Sequence, residues 1–162
     1  MNQKYSSITQ SQSVRIGYFA QDFSNLNEEK SLIDNVLATS EQSIYFIHRF
    51  LISLGFDFTK MNTKVRNLSG GERVKTQLAQ VLLANSNLLL LDEPTNYLDI
   101  AGKDAFIKFL NTYNGSLITI THDLDVLKEI QGLERYFIES KKLVKYKQIL
   151  GVLLIFFTEP HK

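Results

Sequence analysis

The sequence contains no cysteine, which excludes a disulfide framework and a thiolate metal site. It also has almost no excess of charge, because 18 basic against 17 acidic side chains leave a formal net charge of +1. No global field selects a nucleic acid or an acidic membrane, so any such partner has to be recognised locally. No apolar run approaches the ~20 residues of a bilayer-spanning helix. The opening MNQKYSSITQSQS is polar, where a secretory signal carries an apolar core. Export and membrane anchoring are therefore not expected, and the cytosol is the expected compartment. Internal repeats and low-complexity linkers are missing as well. What remains is 162 residues with 44% hydrophobic content, enough for one domain with a substantial core.

VRIGYFA (residues 14–20) reads as a short strand, since aromatic and β-branched side chains dominate it. In residues 29–37, Leu32, Ile33, Val36 and Leu37 recur at helical offsets, and residues 43–54 form a second such stretch closed by Gly55. NLSGGERVKTQLAQVLLANSN begins a helix at its glycines and lines one face with Val74, Leu78, Val81 and Leu82. The apolar run at residues 87–91 has the pattern of a strand covered on both faces of a parallel sheet. A helix over 101–110, the Asn114-Gly115 turn and a strand over 117–121 complete a βαβ unit. RYFIES, Lys141-Lys142 and LVKYK suggest a hairpin.

Two stretches carry the chemistry. LLLLDEPTNYLD runs a buried strand into adjacent carboxylates and then breaks the chain with Pro94. At such a strand end Asp92 is placed to hold magnesium, directly or through water, while Glu93 can orient and polarise an attacking water. Successive side chains alternate in direction, so the two acids have different jobs. In LSGGER the Ser69 hydroxyl and the amides of Gly70, Gly71 and Glu72 stand at a helix N-terminus, where free N–H groups and the helix dipole attract anions. An ordinary capping box between Ser69 and Glu72 explains the same residues. His122 closes the strand LITIT, which puts its imidazole at the carboxyl edge of the sheet with Asp92 and Glu93. That edge is where open α/β sheets bind ligands. Gln21, at the end of VRIGYFA, points there too.

These residues closely resemble the ATP-binding cassette ATPases. LSGGE is similar to their signature motif, LLLLDE to the Walker B strand with its catalytic glutamate, NYLD to the D-loop, THD to the switch histidine and YFAQ to the Q-loop, all in family order. LSGGERVKTQLA followed by DEPTNYLD is nearer to the class F branch, soluble twin-cassette proteins that act on the ribosome. Within that branch IGYFAQ, EKSLIDNV and GERVK look like a second cassette. The resemblance implies an α/β fold, a partial cassette of the P-loop NTPase type with a parallel sheet core and a helical signature subdomain. It divides the chain into a strand and Q-loop (14–28), a helical subdomain (29–68), a signature, Walker B, D-loop and switch region (69–146) and an atypical apolar tail (147–162). It also implies ATP and magnesium as ligands, with Glu93 and His122 catalytic and Asp92 and Gln21 at the metal. Gln21, Ser69, Gly70, Gly71, Glu72 and Asp99 would contact the nucleotide, and the partners would be a second cassette and the ribosome.

One family feature is missing. The chain nowhere contains G-x-x-x-x-G-K-[ST], the loop whose amides and lysine cradle phosphates. Gly102-Lys103 does not serve, since it follows the Walker B strand and no glycine stands five residues before it. Losing three charge-assisted hydrogen bonds at ~1.5 kcal/mol each weakens nucleotide binding roughly a thousandfold. The expectation is a piece of a longer twin-cassette protein, or a split cassette completed by another chain. Three functions fit: a class F protein, either a translation factor or a ribosome-protecting resistance factor; the ATP-binding subunit of a transporter; and a non-catalytic module that lends its signature helix in trans.

The tail ILGVLLIFF (residues 149–157) is too short to span a bilayer and reads as a core strand or a non-homologous ending. Exposed beside an open sheet edge it would promote aggregation. The isolated chain is therefore expected to be poorly soluble, and light scattering that returned a monodisperse, cooperatively melting monomer would contradict this.

Overall fold

The computed structural model of the protein describes residues 11–19, 23–132, 134–139, 142–145 and 154–157. Its elements are β1 (Ile16–Phe19), α1 (Leu32–Leu37), α2 (Ile44–Ser53), α3 (Gly70–Leu82), β2 (Leu88–Asp92), α4 (Ile100–Thr112), β3 (Ser116–Thr121), α5 (Leu124–Glu129), β4 (Glu134–Glu139), β5 (Lys142–Lys145) and β6 (Leu154–Phe157). The sheet order is β1-β2-β3-β6-β4-β5.

α3 begins where its glycines stand and buries Val74, Leu78, Ala79, Val81 and Leu82, so the 3.6-residue period does decide which face turns inward. That face meets α1 and β1. The closest approach is at Gly17, where an added Cβ would lie 2.9 Å from Leu89 Cδ2 and 3.2 Å from the Val81 carbonyl oxygen. A side chain there would crowd Leu89, Ser86 and the helix backbone together. The α1–α3 contact also carries a polar seam. Buried Asn35 donates to the carbonyls of Ser31 (2.8 Å) and Asn27 (3.0 Å), and Gln80 donates to the Asn35 carbonyl at 3.2 Å. α2 starts on its Ser43 cap and is followed by Gly55 at φ +86°, a left-handed stop that glycine adopts at little cost.

β1, β2 and β3 are parallel, with Gly17, Leu89 and Leu117 aligned in one row and Phe19, Leu91 and Thr119 in another. These rows form the covered face. The other face is not covered in the same way, which corrects the expectation of a strand shielded on both sides. Leu88 and Leu90 are half-buried, and beside them Ile16 and Tyr18 are 45% and 52% exposed. α3 and its neighbours lie on one side only, so a fully apolar run does not by itself report two covering layers.

β4 and β5 form the expected antiparallel hairpin. β6 is antiparallel to both β3 and β4, so β3 and β4 run the same way with β6 between them. The last four residues of the apolar tail run thus form an internal strand, as the core-strand reading requires. The remainder of that run, 149–153, lies outside the described residues. α5 had no counterpart in the sequence reading. It is six residues long, starts on the Asp123 cap and buries Val126 and Leu127. No helix among the described residues is long and apolar enough to cross a membrane.

Gly17→Val forces a branched side chain against the α3 backbone. It should lower the unfolding free energy by about 1–3 kcal/mol, the usual cost of overpacking, as read from a denaturant midpoint at constant slope. An unchanged midpoint would show that α3 can move off the sheet without cost.

Candidate functional site

The parallel register brings the ends of β2 and β3 together, with Asp92 opposite Ile120. The chain then turns sharply at Glu93, whose φ of +47° makes it the one non-glycine residue with positive φ among those described. A side chain in this region costs on the order of 1–3 kcal/mol and persists only where its surroundings enforce it. Two contacts do so here. The Glu93 amide donates to the Ile120 carbonyl at 2.8 Å, and its Oε1 lies 2.9 Å from Nδ1 of His122. The carboxylate is 15% exposed and the imidazole 69%. Glu93 Oε2 is buried and has no hydrogen-bond partner among the described residues. Its unused acceptor capacity is what an orienting group for a water molecule requires.

The Glu93 carboxylate raises the His122 pKa, first through the hydrogen bond and then through its charge. Next to it, Asp123 is nearly buried and its carboxylate lies 2.5 Å from the Lys103 ammonium. Burial alone would push Asp123 up, but the Lys103 contact, the Asp125 amide and the Thr95 hydroxyl outweigh it and hold the carboxyl below the usual range. Lys103 and Thr95 were not among the residues singled out from sequence. THD and Gly102-Lys103 carried the signal, but only the folded chain brings α4 against the segment after β3.

The Ser69 turn is a separate surface. Ser69 Oγ accepts from the Glu72 amide at 3.3 Å, and Glu72 Oε2 accepts from the Ser69 amide at 2.8 Å, so the capping box is real. That amide hydrogen bond draws the Glu72 pKa down, and Lys60 adds to it at 3.3 Å. The box leaves the first turn open. Ser69 and Gly70 are exposed, and a Cβ at Gly70 or Gly71 would meet nothing within 4 Å. Arg73 steadies the turn from behind, donating to the Arg66 carbonyl at 2.7 Å and pairing with Glu28 at 3.1 Å. No hydrogen bond or ion pair among the described residues links Ser69 to Asp92, Glu93 or His122. Asp99 is the N-cap of α4, accepting from the Gly102 amide at 2.8 Å, so its local task is structural. Gln21 lies outside the described residues.

Do these residues fit a magnesium nucleotide? Among the described residues no group of three or more His, Cys, Asp or Glu gathers into a metal cage. Magnesium commonly takes one or two carboxylates and completes its shell with water and phosphate oxygens. Asp92 at the strand end suits that habit as a single carboxylate ligand. A cavity of about 420 Å³ lies at the opposite, amino edge of the sheet, near Leu83, Asn87, Tyr113 and Gly115. It includes none of Asp92, Glu93 and His122, so its size does not make it the candidate.

A parallel sheet carrying an acid pair and a histidine at its carboxyl edge, with a helical layer opening on an exposed glycine turn, defines an α/β nucleotide-cassette fold of the P-loop NTPase type. Residues 1–96 match the ABC transporter family, and the chain belongs to that family as an ABC ATPase cassette. It is 35% identical over 136 residues to the probable ATP-binding protein YheS of Haemophilus influenzae, covering 83% of this chain and 21% of that protein. It is 33% identical over 131 residues to elongation factor 3 of Candida glabrata, covering 80% and 12%. Among solved structures, the dimeric post-hydrolysis state of the ATP-binding cassette MJ0796 bound to ADP and Pi superposes with a TM-score of 0.61 at 19% identity, over 84% of this chain and 65% of that one. The chain thus spans about a fifth or less of the two curated relatives' lengths.

The Glu93–His122 contact has a pH signature. A histidine whose folded pKa is raised contributes stability that is fully present below its unfolded value of 6.5 and is lost as pH rises through the higher folded value. In an NMR titration His122 should therefore titrate above 6.5, and Glu93→Gln should bring it back toward 6.5. No movement on that substitution would mean that the two side chains do not meet in solution.

Proposed function

We propose that this chain is the signature, Walker B and switch portion of a class F cassette, whose whole protein couples ATP binding and hydrolysis to work on the ribosome in the cytoplasm. The observation that carries the reading is the Glu93–His122 contact at the carboxyl edge, directly after Asp92, with one Glu93 oxygen buried and without a partner among the described residues. Asp92 would hold magnesium, which supplies charge neutralisation at the phosphates when bound. Glu93 would orient water through its carboxylate, and His122, hydrogen-bonded to Oε1, would hold that carboxylate in place. Ser69, Gly70 and Gly71, on their own exposed turn, would serve a nucleotide held by a second cassette. The phosphate loop would come from a second chain or from elsewhere in a longer protein. Similarity to a protein named elongation factor 3 favours a translational role over a membrane partner.

A second reading has its own observation. The 162 residues contain no phosphate-loop pattern, which favours a non-catalytic module that only lends its signature turn. The two separate when a chain bearing a phosphate loop is added and hydrolysis is measured. Restored turnover should fall at least ~100-fold on Glu93→Gln, the scale of a lost general base. Restored turnover that tolerates Glu93→Gln but not Ser69→Arg would establish the signature-donor reading instead. Co-sedimentation with ribosomes is expected, and recovery with membranes alone would refute the ribosomal assignment.

A further inference from the structure

The Glu93–His122 pair is not held by its own two strands alone. Asp123, directly after His122, is 10% exposed and gathers contacts from α4, α5 and the end of β3. Its carboxylate meets the Lys103 ammonium of α4 at 2.5 Å and caps α5 by accepting from the Asp125 amide at 3.1 Å. Thr95, two residues after Glu93 and 2% exposed, adds a smaller favourable influence on that carboxylate. The Asp123 amide in turn donates to Thr121 Oγ1 at 3.1 Å, which fixes the bend on which His122 is carried.

A second anchor therefore stands beside the first. Glu93 touches His122 directly, and the residue after His122 is tied to α4 through Lys103. We propose that Asp123, neutralised by Lys103, is the positioning residue that holds the His122 loop against the Glu93 turn, and that through Lys103 it fastens that loop to the helix opened by Asp99. A carboxylate this enclosed needs a cation, since an unpaired buried charge is strongly unfavourable. Lys103 provides one while its stem packs along the protein, 32% exposed. Any shift of α4 is then felt at His122. α4 follows directly from the segment 96–99, the D-loop of the proposed cassette, so a contact made there by a second protomer has a rigid route to the histidine. The catalytic consequence rests on the hydrolysis reading, but the positioning itself does not.

The test reads the imidazole, not turnover. A carboxylate is an acceptor only, so at 2.9 Å from Glu93 Oε1 the neutral ring must carry its proton on Nδ1, whereas a free imidazole prefers the other nitrogen. Nitrogen NMR of the full chain, above the His122 titration, should show the Nδ1–H tautomer in the unmodified protein. Asp123→Asn keeps the α5 cap but not the ion pair, and Lys103→Met removes the cation. Both should lose the Nδ1–H preference, while Lys103→Arg should keep it. An Asp123→Asn protein with a native amide spectrum and an unchanged tautomer would overturn the proposal, as would Lys103→Arg behaving like Lys103→Met. If Asp123→Asn does not fold, the two Lys103 variants decide alone. In the complemented hydrolysis assay the same losses should appear in kcat with KM for ATP unchanged. A tautomer change without any hydrolysis by the unmodified protein in the complemented assay would leave the positioning intact and refute the ATPase reading.

Discussion

A carboxylate and an imidazole 2.9 Å apart across the ends of two parallel strands is the contact to which the rest of the structure is fitted. It requires that β2 and β3 pair in one register, because a slip of a single residue would turn Glu93 or His122 to the other face. It requires that Glu93 accept a left-handed backbone, stabilised by its own amide on Ile120. The register in turn depends on the covered face of the sheet, where α3 comes down onto Gly17 and Leu89 with no space for a side chain at Gly17. The site is thus the visible end of a packing constraint that begins in the core.

The two candidate surfaces are mechanically different. The edge at Asp92, Glu93 and His122 is built from strand ends tied by short-range polar contacts, with Asp123, Lys103 and Thr95 as a second layer. The Ser69 turn is a helix start whose internal needs are met by Glu72, with Lys60 and Arg73 bracing it, and whose glycines face outward. Satisfying the Ser69 and Glu72 amides within the turn does not conflict with binding an anion there, since the Gly70 and Gly71 backbone remains approachable. The capping and anion-binding readings of LSGGER are therefore compatible.

Legibility in the sequence followed the length scale of each signal. The helix from Gly70 was readable because its apolar side chains repeat at the helical period, and β2 because an apolar run ending in two acids has few other uses. α5 was not readable: six residues hold too little periodicity to separate from a loop, and its stability comes from burying Val126 and Leu127. The number of layers over β2 was misread for a related reason. Leu88 and Leu90 are as apolar as Leu89 and Leu91, and hydrophobicity along a strand cannot say whether a second layer covers it. The tail was ambiguous between a core strand and a stray ending, and its placement between β3 and β4 depended on long-range pairing.

Residue types at fixed spacing determined by themselves that this chain carries an acid pair after a buried strand, a glycine-rich helix start and a histidine after a second strand, because each pattern reflects local backbone geometry. Tertiary structure alone decided that Glu93 and His122 touch, that one Glu93 oxygen is sealed without a partner and that Lys103 reaches Asp123. Those contacts join residues 20 or more apart, and no local preference encodes a distance that only the packing of separate elements can set.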